Sequence, residues 1–319
     1  MTTPILTRLR DADAATRRVA LLQLADDEDA DALPEVIALL ADDPSPDVRL
    51  EAARILATWE QPDTVAALAR ALEDTDAAVR EAAALGLGDL KSADSAPALL
   101  PYVSHADASV RAAALRGLRE LRVPASEAPA LAALHDPNAA VRREAVAVLG
   151  WRKHVAALPA LAERARDDAD AEVRRAAAGA LGLASDASVL PALLDALRDP
   201  VWRVREESAA TLGKLRALAP EAGVTHALVE ALADDYWQIR LQAARALGRW
   251  RTAQAVEALA ALLAHPISNL RKEAALALGE IGDAAALPAL RIAASDGDPE
   301  VVKAVRIALA QLGDAHARA

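Results

Sequence analysis

Asp170-Ala171-Glu172-Val173-Arg174-Arg175-Ala176-Ala177-Ala178-Gly179-Ala180-Leu181-Gly182 recurs, degraded but legible, along the whole chain. With Arg174 as the reference, equivalent arginines stand at Arg17, Arg49, Arg80, Arg111, Arg142, Arg205, Arg240 and Arg271. Their spacings are 32, 31, 31, 31, 32, 31, 35 and 31 residues, and a tenth copy carries Val302 in that place. Self-similarity at a fixed period of about 20–50 residues marks a solenoid, because each unit buries its apolar face only by stacking on a neighbour.

Each repeat reads as two antiparallel helices, A then B. Helix B carries an apolar residue just before the arginine (Val48, Val79, Val110, Val141, Val173, Val204, Ile239, Leu270). A small residue follows three positions after the arginine (Ala52, Ala83, Ala177, Ser208, Ala243) and a leucine seven after (Leu56, Leu87, Leu181, Leu212, Leu247). Positions −1, +3 and +7 share one face of a 3.6-residue helix, so they form the buried stripe. Glycine follows at 88, 150, 182, 213, 248 and 279, where it either relaxes the helix end or lets the next helix approach. Prolines such as Pro34, Pro97, Pro159, Pro191 and Pro288 open helix A, where the missing donor is not needed.

Six residues before each arginine stands an aspartate: Asp11, Asp43, Asp74, Asp136, Asp168, Asp199, Asp234 and Asp296, with His105 and His265 in its place in two repeats. In the A–B turn this acid is placed to accept from the backbone opening helix B and from the arginine of its own repeat, giving a ladder of acids and bases. The histidines are expected to replace it as hydrogen-bonding turn residues.

Composition points the same way. Of 319 residues 54% are hydrophobic, aromatics are 2%, and there is no Phe. Ala and Leu favour helix, while the aromatic β-formers are scarce, so an all-α chain is expected. A net charge of −11 disfavours nucleic acid, whose binding rests on phosphate neutralisation by Lys and Arg. The absence of cysteine excludes disulfides and thiolate catalysis. The first twenty residues lack an apolar signal core, and no apolar run of about 18 residues exists, so no membrane partner and a cytoplasmic location are expected.

The motif D-x4-[VIL]-R-x2-[AS]-x3-L-G resembles the HEAT repeat superfamily, most closely the short HEAT-like repeats of phycobilisome lyase subunits. That resemblance implies a right-handed α-solenoid of about ten two-helix repeats, with B helices lining a concave side. The expected organisation is one array over residues 1–319. Its repeats fall at about 1–29, 30–61, 62–92, 93–123, 124–154, 155–186, 187–219, 220–252, 253–283 and 284–319. Extra residues lie around Ala217 to Val224. The charge run Asp26-Asp27-Glu28-Asp29 reads as a solvated connection.

No phosphate loop, nucleophile elbow or dinucleotide fingerprint is present, so no catalytic residue, cofactor or metal ligand is assigned. The histidines (His105, His135, His154, His226, His265, His316) read as lacking a Glu or His partner at metal-ligating helical spacing. Trp59 and Trp250 fall at a position otherwise apolar and are expected in the core. Trp151 falls among polar counterparts and is expected to be exposed. Trp202 and Trp237 occupy equivalent places in adjacent repeats, three before the arginine, where other copies are small, and Tyr236 adds a neighbour. Two readings remain: an exposed strip of anchors for a partner, or a local cap over the A–B turn. The window from Ala108 to Lys153 is net +4, with Arg116, Arg119, Arg122, Arg143 and Arg152 outside the ladder. The candidate partner-binding residues are therefore Trp151, Trp202, Tyr236 and Trp237, and on the B face Arg116, Arg143, Glu144, Arg175, Glu206, Glu207, Gln242 and Arg245. The expected function is a non-catalytic scaffold or assembly or maturation factor with a protein partner. The resemblance leaves a bilin-lyase-type enzyme subunit, or a HEAT-like nucleic-acid binder, as alternatives.

Overall fold

The computed structural model describes residues 4–27, 30–152, 155–216 and 222–318. Glu28, Asp29, Lys153, His154 and the 217–221 part of the longer connection, all singled out in the sequence, lie outside these. Among the described residues every regular element is helical and none is a strand. The chain forms two compact units, Met1–His154 and Val155–Ala319.

In the first unit the B helices are Ala14–Asp27, Pro46–Leu56, Ala77–Gly88, Ala108–Leu121 and Ala139–Arg152. In the second they are Ala171–Ala180, Trp202–Lys214, Trp237–Trp250, Ser268–Ile281 and Pro299–Arg318. Within each unit every B helix packs on the next, and on the A helix that precedes it. Most A helices carry proline in their first turn, among them Leu33–Asp42 and Leu190–Ala196.

The stripe predicted from the repeat is the core. Val48, Ala52, Leu56, Val79, Ala83, Leu87, Val173, Ala177, Leu181, Ile239, Ala243 and Leu247 are fully buried. Each leucine so buried stabilises the stack by about 1.5–3 kcal/mol relative to an exposed one. The late glycine serves close approach. A Cβ on Gly248 would lie 2.8 Å from the Ala277 Cα, and one on Gly279 would lie 2.7 Å from the Ala308 Cα. Consecutive B helices thus touch backbone to backbone at these positions.

The ladder exists, but its pairing differs from the expected one. Arg174 Nε donates to Asp199 Oδ2 at 2.6 Å and Nη2 to Asp199 Oδ1 at 3.1 Å, so its acid belongs to the following repeat. To its own turn Arg174 gives only Nη1, which donates to the Asp168 carbonyl at 2.7 Å. The Asp168 carboxylate accepts the Asp170 N–H at 3.0 Å. A guanidinium has five donors in a planar fork, so one edge can close a turn while the other grips a carboxylate in two places. The same fork joins Arg17 to Asp43, Arg49 to Asp74, Arg111 to Asp136, Arg205 to Asp234 and Arg271 to Asp296. The ladder is therefore an inter-repeat bond as well as a turn closure. Arg271 and the Asp298 N–H hold the Asp296 carboxyl below the usual carboxylate range. At Asp74, Asp136 and Asp234 burial acts to raise the pKa, but the arginine and a backbone N–H outweigh it and the net shift is down.

The two histidine rungs keep the turn and alter the bridge. His105 Nδ1 accepts the Asp107 N–H at 3.1 Å, and its Nε2 lies 3.4 Å from Glu73. His265 Nδ1 likewise accepts the Ile267 N–H at 3.1 Å, while its Nε2 faces Arg240 Nη1 at 3.1 Å. A neutral imidazole has a single acceptor nitrogen. His265 consequently cannot satisfy both donors as an aspartate does, and this rung is the weaker one. Burial, then Arg240 and Arg271, push the His265 pKa down.

Candidate functional site

The aromatic residues of the second unit sit where helix B begins. In four earlier repeats the residue at that start is a polar cap: Asp76, Asp107, Asn138 and Asp170 each accept from N–H groups of the first turn. At the next three helix starts stand Val201, Tyr236 and Ile267, none of which caps with its side chain. Giving up such a cap costs about 1 kcal/mol. With Trp202 and Trp237, these residues put apolar side chains at the starts of the B helices along one edge.

Within that edge the two tryptophans behave differently. Trp202 is half-buried, stacked on Tyr236 with ring centroids 5.3 Å apart and planes 9° apart. Arg203 lies 5.5 Å from the Trp202 ring centroid and Arg205 lies 5.7 Å from that of Tyr236. The exposed Tyr236 ring thus covers one face of Trp202. Trp237 keeps 37% of its surface in solvent and does not stack. It lines a pocket of about 300 Å³ on the B-helix face, together with Glu206, Gln238, Gln242, Arg245 and Glu273. The aromatic edge and the B face, two separate candidates in the sequence, therefore meet at Trp237.

The polar groups of this pocket are unequally satisfied. Arg245 Nε pairs with Glu273 at 3.0 Å, and Lys272, also in the lining, pairs with Glu300 at 3.5 Å. Glu206 has no hydrogen bond or ion pair among the described residues, and Gln238 Oε1 is buried without a donor. Burial and then Glu207 push the Glu206 pKa up, against the pull of Arg175 and Arg203. Gln238 was not singled out in the sequence. Its equivalents, Asp47, Ser109, Glu172, Arg203 and Asn269, are commonly polar, so its identity carried no signal. Arg175 is turned to Glu172 at 2.8 Å within its own helix, and Glu207 lies 3.9 Å from Lys214.

The first unit has a different B face. Glu144 is buried, with Arg116 at 3.1 Å, Arg119 at 3.7 Å and Arg143 at 4.0 Å. The acid proposed as a contact residue is thus the interior brace of three arginines, and the arginines reach solvent in its stead. Trp151 is 50% exposed, as its polar counterparts led one to expect, and Arg122 covers its ring at 4.6 Å. Trp59 and Trp250 are half-buried rather than core. The Trp250 indole N–H donates to the Leu212 carbonyl at 2.8 Å, which ties two repeats together.

Among the described residues no three His, Cys, Asp or Glu side chains gather as a metal site. One histidine corrects the sequence reading: His226 does have an acidic partner one helical turn on, Glu230, at 3.2 Å. Both groups are largely exposed and no third ligand joins them. No described helix is long and apolar enough to cross a membrane.

The sequence profile described as HEAT repeats matches residues 33–107, 96–182, 163–234 and 225–311, and the chain belongs to the HEAT repeat family. The fold is similar to the crystal structure of an engineered protein, at 21% identity and a TM-score of 0.56, covering 97% of this chain and 98% of that one. It is also similar to the X-ray structure of YibA of Escherichia coli, at 22% identity and a TM-score of 0.55, covering 95% of this chain and 98% of that one. Curated proteins offer no sequence match. These likenesses establish an all-α solenoid.

Proposed function

We propose that this HEAT repeat protein is a non-catalytic scaffold, a factor for the assembly or maturation of a larger complex, which holds a protein partner on the B-helix face around Trp237. Repeats of this family serve in general as protein-interaction scaffolds. The observation that carries the reading is the convergence at Trp237: an exposed aromatic ring borders a pocket with unsatisfied polar groups. It does so where three successive repeats have exchanged a stabilising cap for apolar side chains. Exposed tryptophan and tyrosine beside polar groups are the usual anchors of protein interfaces.

Affinity capture with the tagged full chain, followed by mass spectrometry, tests it. The expected result is a reproducible set of captured proteins that Trp237→Ala loses and Trp151→Ala keeps. Capture that is indifferent to Trp237, or dependent on Trp151 alone, overturns the assignment of this face.

A further inference from the structure

The lining of the Trp237 pocket states what it lacks. Its two cationic side chains, Arg245 and Lys272, are already paired with Glu273 and Glu300. Among the polar groups left over, two acceptors stand out. Glu206 carries a carboxylate with no partner among the described residues, and Gln238 presents a buried amide oxygen that receives no hydrogen bond. Both belong to neighbouring B helices, Trp202–Lys214 and Trp237–Trp250, and line the same pocket as the Trp237 ring. A buried acceptor without a donor is costly to maintain. A half-buried carboxylate likewise gains most from a cation that arrives with its own N–H donors. Aromatic faces add attraction for the same kind of group. The charged groups bearing on Glu206 from its own and the preceding B helix are Glu207, Arg175 and Arg203, which leave it without a bonded counter-ion.

We propose that this pocket receives one cationic side chain, lysine or arginine, from the partner. Its ammonium or guanidinium would pair with the Glu206 carboxylate, with the stem lying against Trp237. The inference rests on the reading of this face as the partner site, yet its test needs no partner. An acidic or purely apolar side chain would leave the Glu206 carboxylate unmet.

The probes are the blocked tripeptides Ala-Arg-Ala, Ala-Lys-Ala, Ala-norleucine-Ala and Ala-Glu-Ala. They are titrated into the full chain while the indole N–H resonance of Trp237, assigned by Trp237→Phe, is followed. The expected result is a saturable shift with the arginine or lysine peptide and none with the other two. Glu206→Gln, which keeps the shape of the side chain, should weaken binding about tenfold. Circular dichroism on this variant establishes that it is folded. Equal binding of the norleucine peptide, preference for glutamate, insensitivity to Glu206→Gln, or no saturable shift up to about 10 mM would each sink the proposal. If protein capture needs Trp237 but neither capture nor peptide binding responds to Glu206→Gln, the scaffold reading stands and the cation pocket falls. If the peptide binds and capture ignores Trp237, the pocket stands and the scaffold assignment falls.

Discussion

Two glutamates on B helices, Glu144 in the first unit and Glu206 in the second, have opposite fates. Glu144 is buried beneath Arg116, Arg119 and Arg143. Glu206 stands in the repeat position that Arg143 fills in its own repeat, and has no bonded cation. The scaffold around them is the same: forked Arg–Asp rungs, small stripe residues, close B helices. What varies is the B-face charge: Glu206 stands where the first unit has Arg143, and Gly179 and Gly182 stand where it has Arg116 and Arg119. A constant framework can therefore offer a braced, cation-rich surface in one unit and an acceptor pocket in the other.

If the framework is common, breaking a rung should cost the same in both units. Asp199→Ala strands Arg174, and Asp74→Ala strands Arg49, in pairs whose side chains are nearly buried. Loss of one partner of a buried pair costs about 3–5 kcal/mol, to be read as the fall in unfolding free energy in urea. A double-mutant cycle should give strong coupling of Arg174 to Asp199 and little to Asp168. Markedly unequal losses would mean that the two units are not held by one device.

The comparison predicts the next effect more sharply. Glu144→Ala leaves three arginines facing one another and should cost about 2–3 kcal/mol. In the second unit Glu206→Gln removes a half-buried charge with no bonded cation among the described residues and should be neutral or slightly stabilising at pH 7, within about 0.5 kcal/mol. The sign follows from titration. A carboxyl whose pKa is raised in the folded state penalises folding above that pKa, and the penalty fades as pH falls toward the unfolded value. Equal destabilisation by both changes would erase the distinction between brace and pocket.

A smaller effect concerns the weak rung of the second unit. His265→Asp gives Arg240 a carboxylate like those at Asp234 and Asp296, and should stabilise by about 1 kcal/mol. The folded protein depresses the His265 pKa, so with histidine present the unfolded chain binds the proton first. Stability should then fall as pH drops below the ordinary histidine value, and His265→Asp should remove that slope between pH 7 and 5. Thermal melts across that range check it. The Asp rungs respond only further down, since their lowered carboxyls lose their contribution as pH falls through the folded values.

Period and stripe were legible because they are local: Val173, Ala177 and Leu181 announce a buried face by spacing alone. The partner of Arg174 was not. Asp168 lies six residues before it and Asp199 lies 25 after it, and both recur with every repeat, so regularity does not choose between them. Only the fork geometry does, with the carbonyl taken from one turn and the carboxylate from the next. Glu144 carried no mark of burial, because its cover comes partly from Arg116 and Arg119 one repeat earlier. Nor did the sequence bring Trp237 to Gln242, since one is read as edge and the other as face until the first turn of a helix is seen to belong to both.

The rung also explains how such a chain can change its length. Most repeats bring one fork pointing onward and one acid to receive the fork behind it. Adding or deleting a whole repeat with aspartate at its rung leaves no charge stranded, whereas a cut of any other size does. The spacing from Arg205 to Asp234 is 29 residues rather than the usual 25, and the bond still closes at 2.8 Å. The ladder behaves as a coupling between wagons: indifferent to what each one carries, strict about the two hooks.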